Sequence, residues 1–349
     1  MHNIEDIDRN FKINTKIDKT DIKFYNSLCS PFKIYGIYYE DGKFRRMPAD
    51  IAKTVSLGVY SLHTNTAGGR IRFKTDSHYI AINVKMPAIG KMSHFALCGS
   101  AGFDLYINGI HTHSFLPPFD LSDGYEGIQE MLASGIKDIE INFPLYSEVS
   151  ELYIGLEETA AVLPPDPYEI EKPIVYYGSS VTQGGCASRP GTSYQGFISR
   201  ALKADYINLG FSGNAKAEDE MADYIATLDM SVFVLDYDYN SPSAEHLKAT
   251  HEKLFLKVRN SHPDLPIIIL SMPKYTLSDY ELSRRAIIEE TYNNAIMRND
   301  ANVYFIDGPT LMSLCADEGT VDNTHPTDLG FYSMAQSIIE VLRRIYDKH

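Results

Sequence analysis

Two short stretches of the chain carry the residue types that acyl transfer needs. Tyr177-Gly178-Ser179-Ser180-Val181-Thr182-Gln183-Gly184 sets a serine in a glycine-bounded turn, and Asp322-Asn323-Thr324-His325-Pro326 sets a carboxylate three residues before an imidazole. A serine hydroxyl is a weak nucleophile until an imidazole takes its proton. The imidazole in turn needs a carboxylate to hold its tautomer and to stabilise the imidazolium. Ser180, His325 and Asp322 are therefore the candidate nucleophile, base and orienting acid. Two further loops offer donors for a tetrahedral oxyanion. Gly213, in Asn208-Leu209-Gly210-Phe211-Ser212-Gly213-Asn214, lets a backbone N–H approach a ligand closely, and the Asn240 side chain carries an amide donor. Each stretch is ordinary by itself: Gly/Ser turns join many strands to helices, and an isolated D-x-x-H more often caps a helix or faces water.

What joins them is the rhythm of the elements between. From Pro173 onward, short apolar runs alternate with helix-like segments. Strands are expected at Pro173–Tyr177, Tyr206–Leu209, Val232–Tyr237, Pro266–Leu270 and Val303–Ile306, and helices at Ser193–Lys203, Ala217–Leu228, Ala244–Asn260, Asp279–Arg298 and Leu329–Tyr346. Five such alternations imply a parallel sheet covered on both faces, which binds ligands at the carboxyl ends of its strands. Ser180, Gly213 and Asn240 follow the first three strands, and Asp322 and His325 follow the fifth. The first part of the chain reads differently. Ile34–Tyr39, Val55–Leu62, Arg70–Lys74, Tyr79–Val84, Phe103–Ile107 and Glu151–Leu156 are β-like, separated by turns such as Asn108-Gly109. That spacing predicts a β-sandwich or jelly roll. Pro164-Pro165-Asp166-Pro167 reads as a short, stiff linker, so the expected domains are 1–165 and 166–349.

This arrangement resembles the SGNH (GDSL-like) hydrolases, whose conserved blocks supply Ser, Gly, Asn and His in that chain order. Gly178-Ser179-Ser180-Val181-Thr182-Gln183-Gly184 is similar to their first block, Gly213 and Asn240 to the next two, and Asp322-x-x-His325 to the closing block. The resemblance covers roughly residues 173–346. It implies a flavodoxin-like α/β fold and an oxyanion hole made of the Ser180 and Gly213 N–H groups and the Asn240 amide. The chain departs from the pattern where Ser179 replaces the aspartate before the nucleophile and where Asp238-Tyr239-Asn240-Ser241 replaces G-x-N-D. The form G-S-S-x-T-x-G resembles a bacterial branch that carries an N-terminal β-domain, and Gly102-Phe103-Asp104-Leu105-Tyr106 resembles the G-x-D-L-Y signature of that domain. The two-domain plan is also similar to carbohydrate esterases that remove acetyl groups from sugars. The implied activity is that of a serine esterase acting on small acyl esters, acetylated sugars foremost. Lipase, lysophospholipase or thioesterase activity, and a non-catalytic glycan-binding role, are the alternatives.

Composition narrows the partners. A net charge of −14 over 349 residues disfavours nucleic acid and anionic membranes. No apolar run approaches the ~20 residues of a membrane span. The start, Met1-His2-Asn3-Ile4-Glu5-Asp6, has no basic and apolar leader, so a cytoplasmic chain is expected, although a secreted chain with its leader removed reads the same. Cys29, Cys98, Cys186 and Cys315 are far apart, which suggests neither a zinc ribbon nor a disulfide framework. No metal or organic cofactor is called for. Asp236 and Asp238 are not assigned as a metal pair, and His111 and His113 read as a solvated strand face. Arg189 offers either a cation that orients a polar substrate or an ion pair between domains. The β-domain is open to three uses: recognising substrate, walling the site, or joining two copies of the chain.

Overall fold

The computed structural model describes residues 13–131 and 134–347; the stretch Met1–Asp6 lies outside them. The second half is built on a five-stranded parallel sheet. Its strands are β1 (Ile170–Gly178), β2 (Ala204–Gly210), β3 (Val232–Asp236), β4 (Ile267–Leu270) and β5 (Val303–Ile306), in the order β2-β1-β3-β4-β5. Alternation along the strands divides the side chains between two cores. Val175, Tyr177, Phe233, Leu235, Ile267 and Ile269 face one side, under helices α3 (Asp219–Ile225), α4 (Ala244–Ser261) and α5 (Asp279–Met297). Ile174, Tyr176, Val232, Val234, Ile268 and Leu270 face the other, under α2 (Tyr194–Leu202) and α6 (Asp328–Tyr346). Burial on both faces is why these strands read as unbroken apolar runs. Serine caps start α2, α4 and α5, and Ser278 with Glu281 forms a capping box. Because the chain runs outward from β1 in both directions, a crevice opens at the carboxyl ends of β1 and its neighbours.

The first half is an antiparallel sandwich. One sheet joins Ile22–Asn26, Glu151–Glu157, Tyr79–Lys85 and Gly124–Glu130. The other joins Val162–Leu163, Arg70–Thr75, Lys137–Asn142, Phe103–Ile107 and Ile110–Phe115, with Lys33–Tyr35 also paired to Arg70–Thr75. Alternate residues of both sheets, among them Ile80, Ile82, Ile154, Phe73, Leu105 and Ile141, interdigitate in one core.

Two expected strands differ. Ile34–Tyr39 is split, since Gly36 adopts φ +73° and turns the chain between Lys33–Tyr35 and Tyr38–Glu40. Val55–Leu62 is helical: Ala49–Val55 and Leu57–Leu62 are two short helices, and Ser56 caps the second by accepting from the Val59 N–H. Its V-S-L-G-V alternation imitates a strand. The buried pair is Val55 and Val59, four residues apart, while Leu57 stands 84% exposed. Val55 and Val59 pack into the core under α3 and α4, so this early segment joins the α/β half.

The seam between the halves is polar and buried. Arg46 donates to the carbonyls of Asn208, Gly210 and Leu62 and stacks on Phe211. Arg70 pairs with Asp205 and lies over the Tyr206 ring. Just past the linker, Arg70 Nε donates to Tyr168 Oη at 3.0 Å.

Candidate active site

Ser180 begins α1 (Ser180–Gln183), the turn of helix that follows β1, and is nearly buried. Ser179 caps this helix by accepting from the Val181 N–H, so the residue that replaces the aspartate of the pattern retains a structural task. The turn is tight. A Cβ on Gly178 would lie 2.1 Å from Thr182 Oγ1, and one on Gly210 would lie 2.2 Å from the Gln183 nitrogen. Both glycines are therefore required by close approach rather than by an unusual φ.

His325 Nε2 lies 3.0 Å from Ser180 Oγ, and His325 Nδ1 lies 2.8 Å from Asp322 Oδ2. Asp322 Oδ1 also accepts from the backbone N–H groups of His325 (2.8 Å) and Thr324 (3.1 Å), which ties the carboxylate to the loop that carries the imidazole. Burial acts to raise the Asp322 carboxyl, but the His325 backbone N–H and ring outweigh it and hold it below the usual aspartate value. Asp322 is thus an anion beside the ring, as an orienting acid must be.

The donor groups come from the strands on either side of β1. Gly213 follows β2 at φ +70° with open space where a Cβ would stand. Its neighbours are engaged, since Ser212 N–H donates to Gln183 Oε1 (2.9 Å) and Asn214 N–H to the Phe211 carbonyl (2.8 Å). Among the described residues, neither the Gly213 N–H nor the Ser180 N–H donates to a protein acceptor. Asn240 follows β3. Its Oδ1 accepts from the Ala215 N–H at 3.3 Å, which leaves the NH2 end for a ligand. Arg284 bolts this turn down by pairing with buried Asp238 (Nε to Oδ1, 2.9 Å) and donating to the Ser241 carbonyl.

Behind the nucleophile, Asp236 Oδ2 at the end of β3 accepts from Thr182 Oγ1 (2.9 Å) and Tyr194 Oη (3.2 Å). Burial pushes its carboxyl up to about 7, against these two hydrogen bonds. Arg189 is engaged in the seam, with Nη1 donating to Asp104 Oδ2 at 3.0 Å and to the Tyr106 hydroxyl. Asp104 Oδ2 also accepts from the Gly191 N–H at 2.8 Å, so the G-x-D-L-Y strand clamps the loop that follows the nucleophile.

Three further residues stand near Ser180 and His325, and two of them, Tyr146 and His94, come from segments that local pattern does not single out. Tyr146 Oη donates to the Ser180 carbonyl at 3.2 Å. The His94 ring lies 5.4 Å from the His325 ring, and Cys186 sits just beyond α1. His94 and Tyr146 belong to the β-domain, which therefore forms part of the site's wall.

Residues 171–343 match the GDSL-like lipase/acylhydrolase family, and residues 22–162 match the GxDLY domain, the N-terminus of SGNH-hydrolase-type esterases. The chain belongs to the GDSL-like lipase/acylhydrolase family. It is a carboxylic ester hydrolase. A GDSL-like lipase structure from Bacteroides ovatus is 29% identical to the hydrolase, with TM-score 0.83 over 93% of this chain and 98% of that one. A salicylyl-acyltransferase from a tetracycline biosynthetic pathway is 20% identical, with TM-score 0.75 over 94% and 98% of the two chains. A family two carbohydrate esterase from Clostridium thermocellum is 15% identical, with TM-score 0.62 over 90% and 98%. The last two share the fold of the hydrolase. No curated protein sequence matches it. Among the described residues, no helix is long and apolar enough to cross a membrane.

Proposed function

We propose that this ester hydrolase cleaves small acyl esters, acetyl esters of carbohydrates above all, with Ser180, His325 and Asp322 as its triad. The observation that carries the reading is the continuous relay from Ser180 Oγ to His325 Nε2 and from His325 Nδ1 to Asp322 Oδ2. His325 takes the Ser180 proton as Oγ attacks the ester carbonyl. The N–H groups of Ser180 and Gly213 and the Asn240 amide receive the charge that develops on the carbonyl oxygen. His325 then gives its proton to the leaving alcohol. Water, deprotonated by the same ring, releases the acid and frees Ser180.

Water reaches this site: the Asp322 side chain is 40% exposed and His94 is exposed. Hydrolysis of the acyl-enzyme needs that access. The support for a sugar acetate is the two-domain plan shared with the carbohydrate esterase.

Hydrolysis of p-nitrophenyl acetate and of acetylated sugars by the wild type and by Ser180→Ala tests both parts. Loss of about 10³-fold or more in the variant is expected. Equal rates would remove Ser180 as nucleophile. Turnover of the nitrophenyl ester with no acetate released from any sugar would remove the carbohydrate and leave lipid esters and thioesters as the substrate classes.

A further inference from the structure

Cys186 is buried beside the catalytic loop, and the acyl-transfer mechanism makes no use of it. One ligand atom each from His94, Cys186 and His325 lies within 4.8 Å of the other two. The three come from separate segments: the Met92–Phe95 turn of the β-domain, the loop after α1, and the loop before α6. Two imidazoles and a thiol are the donor types that zinc-like cations prefer, whereas magnesium and calcium prefer oxygen. Ligand atoms around a tetrahedral zinc, at its usual bond lengths, lie about 3.5 Å apart. The set is wider than that by at most about 1.3 Å, and His94, being exposed, has room to turn.

The segments that carry these donors are braced. Cys98 Sγ donates to the Ser188 carbonyl at 2.8 Å, and Gly99 lies so close to the Ala187 carbonyl that a Cβ there would be 2.0 Å from its oxygen. Phe95, next to His94, is buried edge-on against Tyr146, whose hydroxyl reaches the Ser180 carbonyl. A buried cysteine is usually a small apolar filler. One placed against two histidines from opposite domains, one of them the base itself, has a more specific chemistry open to it.

We propose that His94, Cys186 and His325 form a site for a thiophilic divalent cation of the zinc class, and that its occupancy reversibly switches the hydrolase off. Binding forms one sulfur–metal and two nitrogen–metal bonds, and the Cys186 thiol proton passes to solvent. The three-residue set leaves the fourth position to water. A cation on Nε2 of His325 takes the lone pair that must accept the Ser180 proton. A cation on Nδ1 parts the ring from Asp322. Either way the base is lost while the metal stays, and a chelator restores it.

Cobalt(II) is a direct probe, since a cobalt–thiolate bond gives a near-ultraviolet charge-transfer band whether or not the enzyme turns over. The band is expected with one cobalt per chain in the wild type and in Ser180→Ala, absent in Cys186→Ala, and weakened in His94→Gln, an exposed position where folding is not at stake. In the activity arm, zinc is expected to inhibit p-nitrophenyl acetate hydrolysis, EDTA to reverse the inhibition, and magnesium to have no effect. Measured against its own metal-free rate, His94→Gln should need at least about tenfold more zinc for half inhibition. A missing wild-type band, or a band retained in Cys186→Ala, overturns the site. Binding without inhibition overturns the switch. The activity arm rests on His325 being the base, but the cobalt arm does not, so a protein that binds cobalt yet hydrolyses no ester would count against the proposed function and not against the site.

Discussion

Asp322 acts through His325 and not on the substrate. It holds Nδ1 at 2.8 Å, and its other oxygen takes two backbone N–H groups of the same loop. Asp322→Asn would present an amide where the ring needs an acceptor, and the imidazole would turn or take its other tautomer. We expect kcat to fall by about 10⁴-fold with KM nearly unchanged, as in other serine triads. Unchanged kcat would take Asp322 out of the relay. At this scale the sequence was informative, because Asp322 and His325 lie within one turn of chain. Asn240 was harder to read in its D-Y-N-S surroundings. The buried Asp238–Arg284 pair that fixes its turn joins residues on different elements, and such a contact leaves no local spacing to find.

Among the elements, β3 is joined to α1 and α2 through Asp236. Its carboxyl lies between Thr182 and Tyr194, and burial raises it from 3.8 to about 7. A raised carboxyl means that the folded protein holds a proton the unfolded chain gives up. The stabilisation is complete below 3.8 and is lost as pH climbs through about 7. Asp236→Asn has no proton to lose and can still accept from both hydroxyls. Relative to the wild type its Tm should therefore rise steadily between about pH 4 and about pH 8. A constant difference across that window would mean that Asp236 does not titrate there. The five strand–helix units were legible because each carries its own period, unbroken apolar runs in the doubly covered strands and 3.6-residue spacing in the helices. Val55–Leu62 misled because eight residues of alternating apolar and small side chains satisfy the strand pattern, and docking onto the core under α3 and α4 made the choice.

At the scale of the whole molecule, the two halves are latched through Asp104, which is fully buried and accepts from Arg189, the Gly191 N–H and the Asn142 side chain. Removing one partner of a buried pair strands the other, so Asp104→Ala should cost about 3 kcal/mol in denaturant unfolding. Arg189→Ala should cost less, since that side chain keeps 20% exposure and its loss leaves Asp104 two donors. Equal and small losses would show that the latch holds nothing. By itself the sequence determined the class of each half, the change of rhythm at Pro164–Pro167, and the joint placement of Ser180, Gly213, Asn240, Asp322 and His325 at strand ends of one sheet. It did so because periodicity and turn chemistry are local, and because a parallel sheet brings the ends of its strands to one edge. Only the tertiary structure decided that Arg189 meets Asp104, that Tyr146 supports the nucleophile turn, and that His94 and Cys186 stand beside the base. Those contacts join residues far apart in the chain, and the docking of one folded surface on another sets them, for which no local pattern exists.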